Sequence, residues 1–219
     1  MLKYILFDLD GTIADTSEGI LNGYLYCMPR IGLPVPADKN ELRPMIGPPL
    51  SRVLQERYGV SREVGEEGFR LFREYLGLRG TKECEVYPGM PALLRELREH
   101  DLRVMIATSK STVYARATLE HLGLLDAFEF LGCADPVTGR REKEDVIAYV
   151  REHFPDICAE NTVMVGDRVY DVIGARLNGL PVIWCSFGLA QPGEMGDEIP
   201  DYTARTVAEL REILISKLN

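Results

Sequence analysis

The chain lacks the spacings and runs that mark several large protein classes. Its five cysteines (Cys27, Cys84, Cys133, Cys158 and Cys185) are odd in number and scattered, with no Cys-x-x-Cys pair. This argues against a disulfide framework or a structural zinc site, and buried, reduced thiols in a cytoplasmic protein are expected. Only His100, His121 and His153 offer imidazoles, far apart and near the ends of amphipathic stretches, so they read as surface residues. No apolar run approaches the roughly 18 residues of a membrane-spanning helix. The apolar start is broken by Asp8, which leaves no signal-peptide core, and no membrane association is expected. Basic residues are in deficit, 25 against 34 acidic ones, for a formal charge of −9. Phosphate-backbone binding wants a basic face, so a nucleic-acid polymer is not an expected partner. An anionic small molecule would need a metal ion or clustered cations.

What is present is the composition of a soluble globular chain, 219 residues with 46% hydrophobic and 27% charged. Tyr4-Ile5-Leu6-Phe7 is a short apolar run that reads as a buried strand. It ends in Asp8-Leu9-Asp10-Gly11-Thr12, which brings two acids, a turn-permitting glycine and a hydroxyl to its carboxyl end. In open α/β sheets ligands bind at that edge.

From Thr16 to about Glu85 only helices are expected. Asp15 and Glu18 have capping-box spacing before a helix with Ile20, Leu21, Tyr24, Leu25 and Met28 inward, which Pro29 kinks or ends. Asp38 opens a short helix that Pro44 interrupts; Gly47-Pro48-Pro49 opens another, ending near Gly59; Ser61 caps a long one through Leu76. After Tyr87-Pro88-Gly89 the pattern alternates: helix 90–100, strand 102–107, helix 111–122, strand 128–132, helix 142–153, strand 162–166, helix 170–178, strand 181–185, and a last helix 207–218. Alternation predicts a doubly wound, Rossmann-like parallel sheet with helices on both faces. The first strand needs that sheet for pairing. Residues 1–15 and 86–219 therefore form an α/β core, and 16–85 form an inserted all-helical domain.

Later strand ends carry chemistry of the same kind. Thr108-Ser109-Lys110 ends one strand just before a helix, which suits an anion or simply a helix cap. Gly166-Asp167-Arg168-Val169-Tyr170-Asp171 ends another, with Asp167 and Asp171 open also to being acids favoured at a helix N-terminus. If the two acidic ends meet, four aspartates repel one another unless a cation lies between them. Oxygen-only ligation favours Mg2+ over Ca2+ or Zn2+. Lys143 opens a further helix, where a cation is electrostatically misplaced, though the charged run 140–145 reads equally as a solvated turn.

Taken together and in this order, Asp8-x-Asp10-Gly11-Thr12, Thr108-Ser109-Lys110, Lys143 and Gly166-Asp167-x-x-x-Asp171 resemble the four motifs of the haloacid dehalogenase-like phosphohydrolase superfamily. The helical insertion resembles that family's C1-type cap, and the stretch from Gly166 to Pro181, with the Tyr87-Pro88-Gly89 linker, is similar to the phosphoglycolate-phosphatase-like branch. The resemblance implies Asp8 as nucleophile, forming an aspartyl-phosphate, and Asp10 as acid and then base, its pKa raised by neighbouring carboxylates. Mg2+ would be held by Asp8, Asp10 (through its backbone carbonyl) and Asp167, with Asp171 completing the metal site by holding its waters, or else orienting Lys143. Thr108, Ser109 and Lys143, with Gly11 and Thr12, would bind the phosphoryl group, and Arg43 and Arg52 of the cap the rest of the substrate.

The implied function is a Mg2+-dependent phosphomonoesterase for a small soluble metabolite, monomeric or homodimeric. Phosphoglycolate, nucleoside monophosphates and sugar phosphates all remain open. Within the family, a dehalogenase would lack Asp10, and a β-phosphoglucomutase-like enzyme would need a cap histidine, which 16–85 does not contain. A phosphonatase would need a cap lysine in a suitable context, and only Lys39 and Lys82 occur. A non-enzymatic phospho-receiver module is about half this length and places its lysine last.

Overall fold

The computed structural model describes residues 1–135 and 137–218. The strands and α-helices run β1 (Tyr4–Phe7), β2 (Ala14–Asp15), α1 (Ser17–Cys27), α2 (Leu50–Tyr58), α3 (Arg62–Leu78), β3 (Glu85–Val86), α4 (Met90–Glu99), β4 (Arg103–Ser111), α5 (Thr112–His121), β5 (Phe130–Ala134), α6 (Lys143–His153), β6 (Thr162–Gly166), α7 (Val169–Leu177), β7 (Val182–Cys185), β8 (Tyr202–Ala204) and α8 (Val207–Ser216). The chain divides into two compact units, Met1–Asp15 with Glu85–Asn219, and Thr16–Cys84.

The first unit is built on a six-stranded sheet in the order β5-β4-β1-β6-β7-β8, every neighbouring pair parallel. This is the doubly wound architecture expected. Strand side chains alternate between faces, so β1 feeds two cores. Ile5 and Phe7 pack with Val104, Ile106, Val163 and Val165 beneath α4, α5 and α8. Tyr4 and Leu6 pack with Met105 and Met164 beneath α6 and α7. All four β1 side chains are fully buried, which is why the run reads as continuously apolar. β1 is also where the order of connection reverses, with β4 on one side and β6 on the other. Its carboxyl end is therefore the topological switch point at which such sheets bind ligands.

The second unit is helical. α1 and α3 pack side by side, with Tyr24 and Phe72 rings 5.4 Å apart. Ser61 caps α3 by accepting from the Val64 N–H at 3.3 Å, and Gly59 ends α2 in the left-handed conformation, both as expected. Lys39–Met45 is a 3-10 helix rather than an α-helix, with Asp38 capping it and Pro44 inside.

Several boundaries differ from the sequence reading. Asp15 does not cap α1: it pairs with Glu85 in the two-strand ladder β2–β3, and Thr16 takes the N-cap position without a side-chain hydrogen bond. β4 runs on to Ser111, so Thr108-Ser109-Lys110 lies within the strand, where its register with β5 is irregular. β8 was not expected; three residues at a sheet edge carry too short a pattern to read. The three histidines are exposed, and Cys27, Cys133 and Cys185 are buried free thiols, the first two pushed up by burial to about 12 and about 11. No helix among the described residues is long and apolar enough to cross a membrane.

Candidate active site

The register of the sheet brings the acidic strand ends together. Phe7 lies level with Ile106 on β4 and with Val165 on β6, so Asp8, one residue beyond, and Thr108 and Asp167, two residues beyond, fall at the same edge of neighbouring strands. Oxygens of Asp8, Asp167 and Asp171 lie within 4.8 Å of one another, and all three residues are buried.

Lys143 enters this cluster from the first turn of α6. Its ammonium lies 2.8 Å from Asp8 Oδ1 and 2.7 Å from Asp171 Oδ1, and donates to the Ala107 carbonyl at 2.8 Å. Its one hydrogen bond among the described residues is to that carbonyl, and the two carboxylates face it as ion-pair partners. The side chains are only 3%, 9% and 1% exposed for Lys143, Asp8 and Asp171. Neither Asp8 Oδ1 nor Asp171 Oδ1 has a partner besides this ion pair among the described residues.

Asp167 is held differently. Its Oδ1 accepts from the Thr12 hydroxyl at 3.3 Å and its Oδ2 from the Leu189 N–H at 2.6 Å. Gly11, at φ 81°, packs so closely that a Cβ there would sit 2.1 Å from Asp167 Oδ2, so no side chain fits. Thr12, expected at the phosphoryl group, thus directs its hydroxyl to Asp167.

Burial and charge crowding act on the same groups. Burial first, then the Asp171 and Asp8 charges, pushes Asp167 well above the usual carboxylate range. Burial pushes Asp171 up to about 6, with Lys143 pulling the other way. Burial alone would lower Lys143, but Asp171 and Asp8 outweigh it and the ammonium is raised. With all of them ionised, three carboxylates against one ammonium would leave two negative charges in excess in a buried pocket, which is why burial and crowding raise Asp167 and Asp171. An all-oxygen donor set of this kind could hold a hard divalent cation.

Asp10 stands apart from this cluster. Lys110 Nζ lies 2.8 and 3.0 Å from its two carboxylate oxygens. The extension of β4 carries Lys110 over Asp10 as its ion-pair partner. The role of Lys110 is not evident from the sequence alone; its place two residues after Thr108 is the available signal. Thr108 is buried and its Oγ1 accepts from the Lys110 N–H at 3.3 Å, while Ser109 is exposed.

Arg43 and Arg52 lie in the helical unit. Arg43 donates to Asn40 Oδ1 at 3.2 Å and to Ser17 Oγ at 3.3 Å, and Arg52 pairs with Glu56 at 3.3 Å.

Residues 5–185 match the family model described as haloacid dehalogenase-like hydrolase. The chain is 32% identical over 217 residues to a 5'-nucleotidase of Pseudomonas aeruginosa, covering 98% of this chain and 97% of that protein. It is 32% identical over 214 residues to tyrosine-protein kinase PtkA of Mycobacterium tuberculosis, covering 97% and 72%. A phosphoglycolate phosphatase of Nitrosococcus oceani is 26% identical over 219 residues, covering 97% and 96%. A solved structure of a predicted phosphatase from Clostridium acetobutylicum superposes with a TM-score of 0.91 at 34% identity, covering 99% of both chains.

Proposed function

The chain belongs to the haloacid dehalogenase-like hydrolase family, and on that premise we propose that it is a Mg2+-dependent phosphomonoesterase for a small soluble phosphorylated metabolite, working through an aspartyl-phosphate on Asp8. One observation carries this reading: three buried carboxylates meet one ammonium at the switch point of the sheet. Asp8, the Asp10 backbone carbonyl and Asp167 would hold the cation, with Asp171 fixing Lys143. When bound, it neutralises the phosphate so that a carboxylate can approach it.

The remaining work falls to the chain's own groups. Lys143 holds one Asp8 oxygen, leaving the other to attack phosphorus as the ester oxygen departs. Asp10 protonates that departing oxygen, then takes a proton from the water that hydrolyses the Asp8 phosphate. For this the Lys110–Asp10 pair opens. Thr108, Ser109, Gly11 and Lys143 bind the phosphoryl oxygens, since phosphoryl transfer depends chiefly on placement and charge. The helical unit acts as the substrate-selecting cap, with Arg43 and Arg52 as its anion contacts. The location is cytoplasmic, and the substrate is phosphoglycolate-like, a nucleoside monophosphate or a sugar phosphate.

The likeness to a protein named as a tyrosine kinase supports a second reading, in which Asp8 chemistry passes phosphate to an acceptor other than water. Multiple-turnover release of inorganic phosphate from a panel of small phosphomonoesters, ranked by kcat/KM, separates the two. Sustained release is the expected result. Failure to hydrolyse any member, or a single stoichiometric transfer without turnover, would overturn the phosphatase reading.

A further inference from the structure

The stretch between β7 and β8, residues 186–201, contains no helix or strand, yet it forms one wall of the Asp167 pocket. Leu189 donates its N–H to Asp167 Oδ2 at 2.6 Å. Gly188 packs so tightly that a Cβ there would lie 2.3 Å from Asp167 Cβ and 2.4 Å from the Gly11 carbonyl oxygen. Just before it, the Trp184 indole N–H donates to the Asp167 carbonyl at 2.7 Å. A segment with no ladder of its own must be fixed by side chains, and here one side chain does most of it.

Glu194 accepts four hydrogen bonds. Its Oε1 receives Arg168 Nε at 2.7 Å and the Val169 N–H at 3.2 Å, and its Oε2 receives Arg168 Nη2 at 2.8 Å and the Gln191 N–H at 3.0 Å. The Gln191 amide in turn donates to the Leu189 carbonyl at 3.0 Å. The Arg168 and Glu194 side chains are 11% and 12% exposed, so this bidentate pair differs in kind from a solvated surface ion pair. Arg168 also donates its backbone N–H to Asp171 Oδ2 at 2.9 Å. The fork therefore joins the loop to the turn of chain that carries both Asp167 and Asp171.

We propose that Glu194 and Arg168 are positioning residues that lock the 186–201 loop, and through the Leu189 N–H the Asp167 carboxylate, in the orientation that binds the divalent cation. The inference rests on the phosphatase reading above. Groups that orient a metal ligand from behind change metal affinity by about 10- to 100-fold when removed. The pair is neutral overall, so its effect acts through orientation rather than through added charge.

The test is calorimetric titration of the full chain with Mg2+ in the wild type and in the Glu194→Gln, Arg168→Met, Arg168→Lys and Glu194→Gln/Arg168→Met variants, alongside kcat and KM at saturating Mg2+. Glu194→Gln keeps the size of the side chain and one amide oxygen for the loop N–H groups, which preserves folding. Each single substitution is expected to raise the Mg2+ Kd about 10-fold or more, and the double variant to be no worse than the poorer single one, because each breaks the same fork. Arg168→Lys keeps the charge but not the fork, so it should bind Mg2+ as weakly as Arg168→Met. Expected with these is a kcat at saturating Mg2+ that falls far less than the affinity does. Kd values within about twofold of wild type in the single variants, whatever happens to the melting temperature, would overturn the proposal. So would effects that multiply in the double variant, or recovery in Arg168→Lys. If the wild type itself binds no Mg2+, the phosphatase reading falls and this one with it; if the wild type binds and the variants match it, only the lock falls.

Discussion

β1 and β4 carry charged clusters at both ends, and the two ends are built on opposite principles. At the amino end, Lys3 pairs with Asp156, Arg103 pairs with Glu129, and Tyr4 links them by donating to Asp156 at 2.6 Å and accepting from Arg103 at 2.9 Å. Two cations meet two anions, and the Lys3 and Asp156 side chains are 48% and 53% exposed. At the carboxyl end, Asp8, Asp167 and Asp171 meet a single Lys143 and water is nearly excluded. A balanced, solvated network costs little and needs no function to explain it. A buried cluster of like charge is costly, and such clusters gather at functional sites.

Substitutions at the two ends should therefore differ sharply. The largest difference is expected in turnover: Asp8→Asn should lower kcat by ~10³-fold or more with the fold intact, as loss of a nucleophile does. Asp156→Asn, at the amino end, should leave kcat within about twofold. Steady-state kinetics with circular dichroism checks both, and a comparable loss in each would erase the contrast.

Next in size is stability. Lys143→Ala removes the one cation from a buried cluster and should cost about 3–5 kcal/mol in urea unfolding. Lys3→Ala, losing only a solvated ion pair, should move the midpoint little.

The smallest effect sharpens the contrast through metal and pH. Mg2+ at 100 times its Kd should add about 2.7 kcal/mol, raising the melting temperature roughly 5–10 °C. Asp167→Asn should abolish that rise, and Asp156→Asn should not. Asp171, raised by burial to about 6 from an ordinary 3.8, gives the sign of the pH dependence. An acid whose pKa is raised in the folded state contributes stability that is complete below 3.8 and lost as pH climbs through about 6. The metal-free protein should thus lose this contribution between pH 4 and pH 7. Since protonating Asp171 removes a negative charge beside the oxygens that would hold the cation, the melting rise from Mg2+ should shrink as pH falls through about 6.

The site was legible where chemistry and chain order coincide. Asp8 and Asp167 each follow an apolar strand, so the sheet brings them together once its parallel order is inferred. Lys143 was legible as a cation at the wrong end of a helix, a placement that the acids around it explain. Ser61 and Gly59 were legible as caps because their effect is local. Asp15 misled for the converse reason: its capping-box spacing is local, but pairing with Glu85, 70 positions away, fixes its backbone. Lys110 was hidden by the length of β4, which the apolar run understates. Glu194 was hidden most deeply, in a loop without periodicity, 26 positions from the arginine it holds.

Phosphate release by the purified chain in buffer stripped of divalent ions, before and after Mg2+ is restored, tests most directly whether the carboxylate cluster at the carboxyl edge holds a cation. Turnover should vanish on stripping and return with Mg2+. Full turnover in the stripped buffer would contradict that assignment.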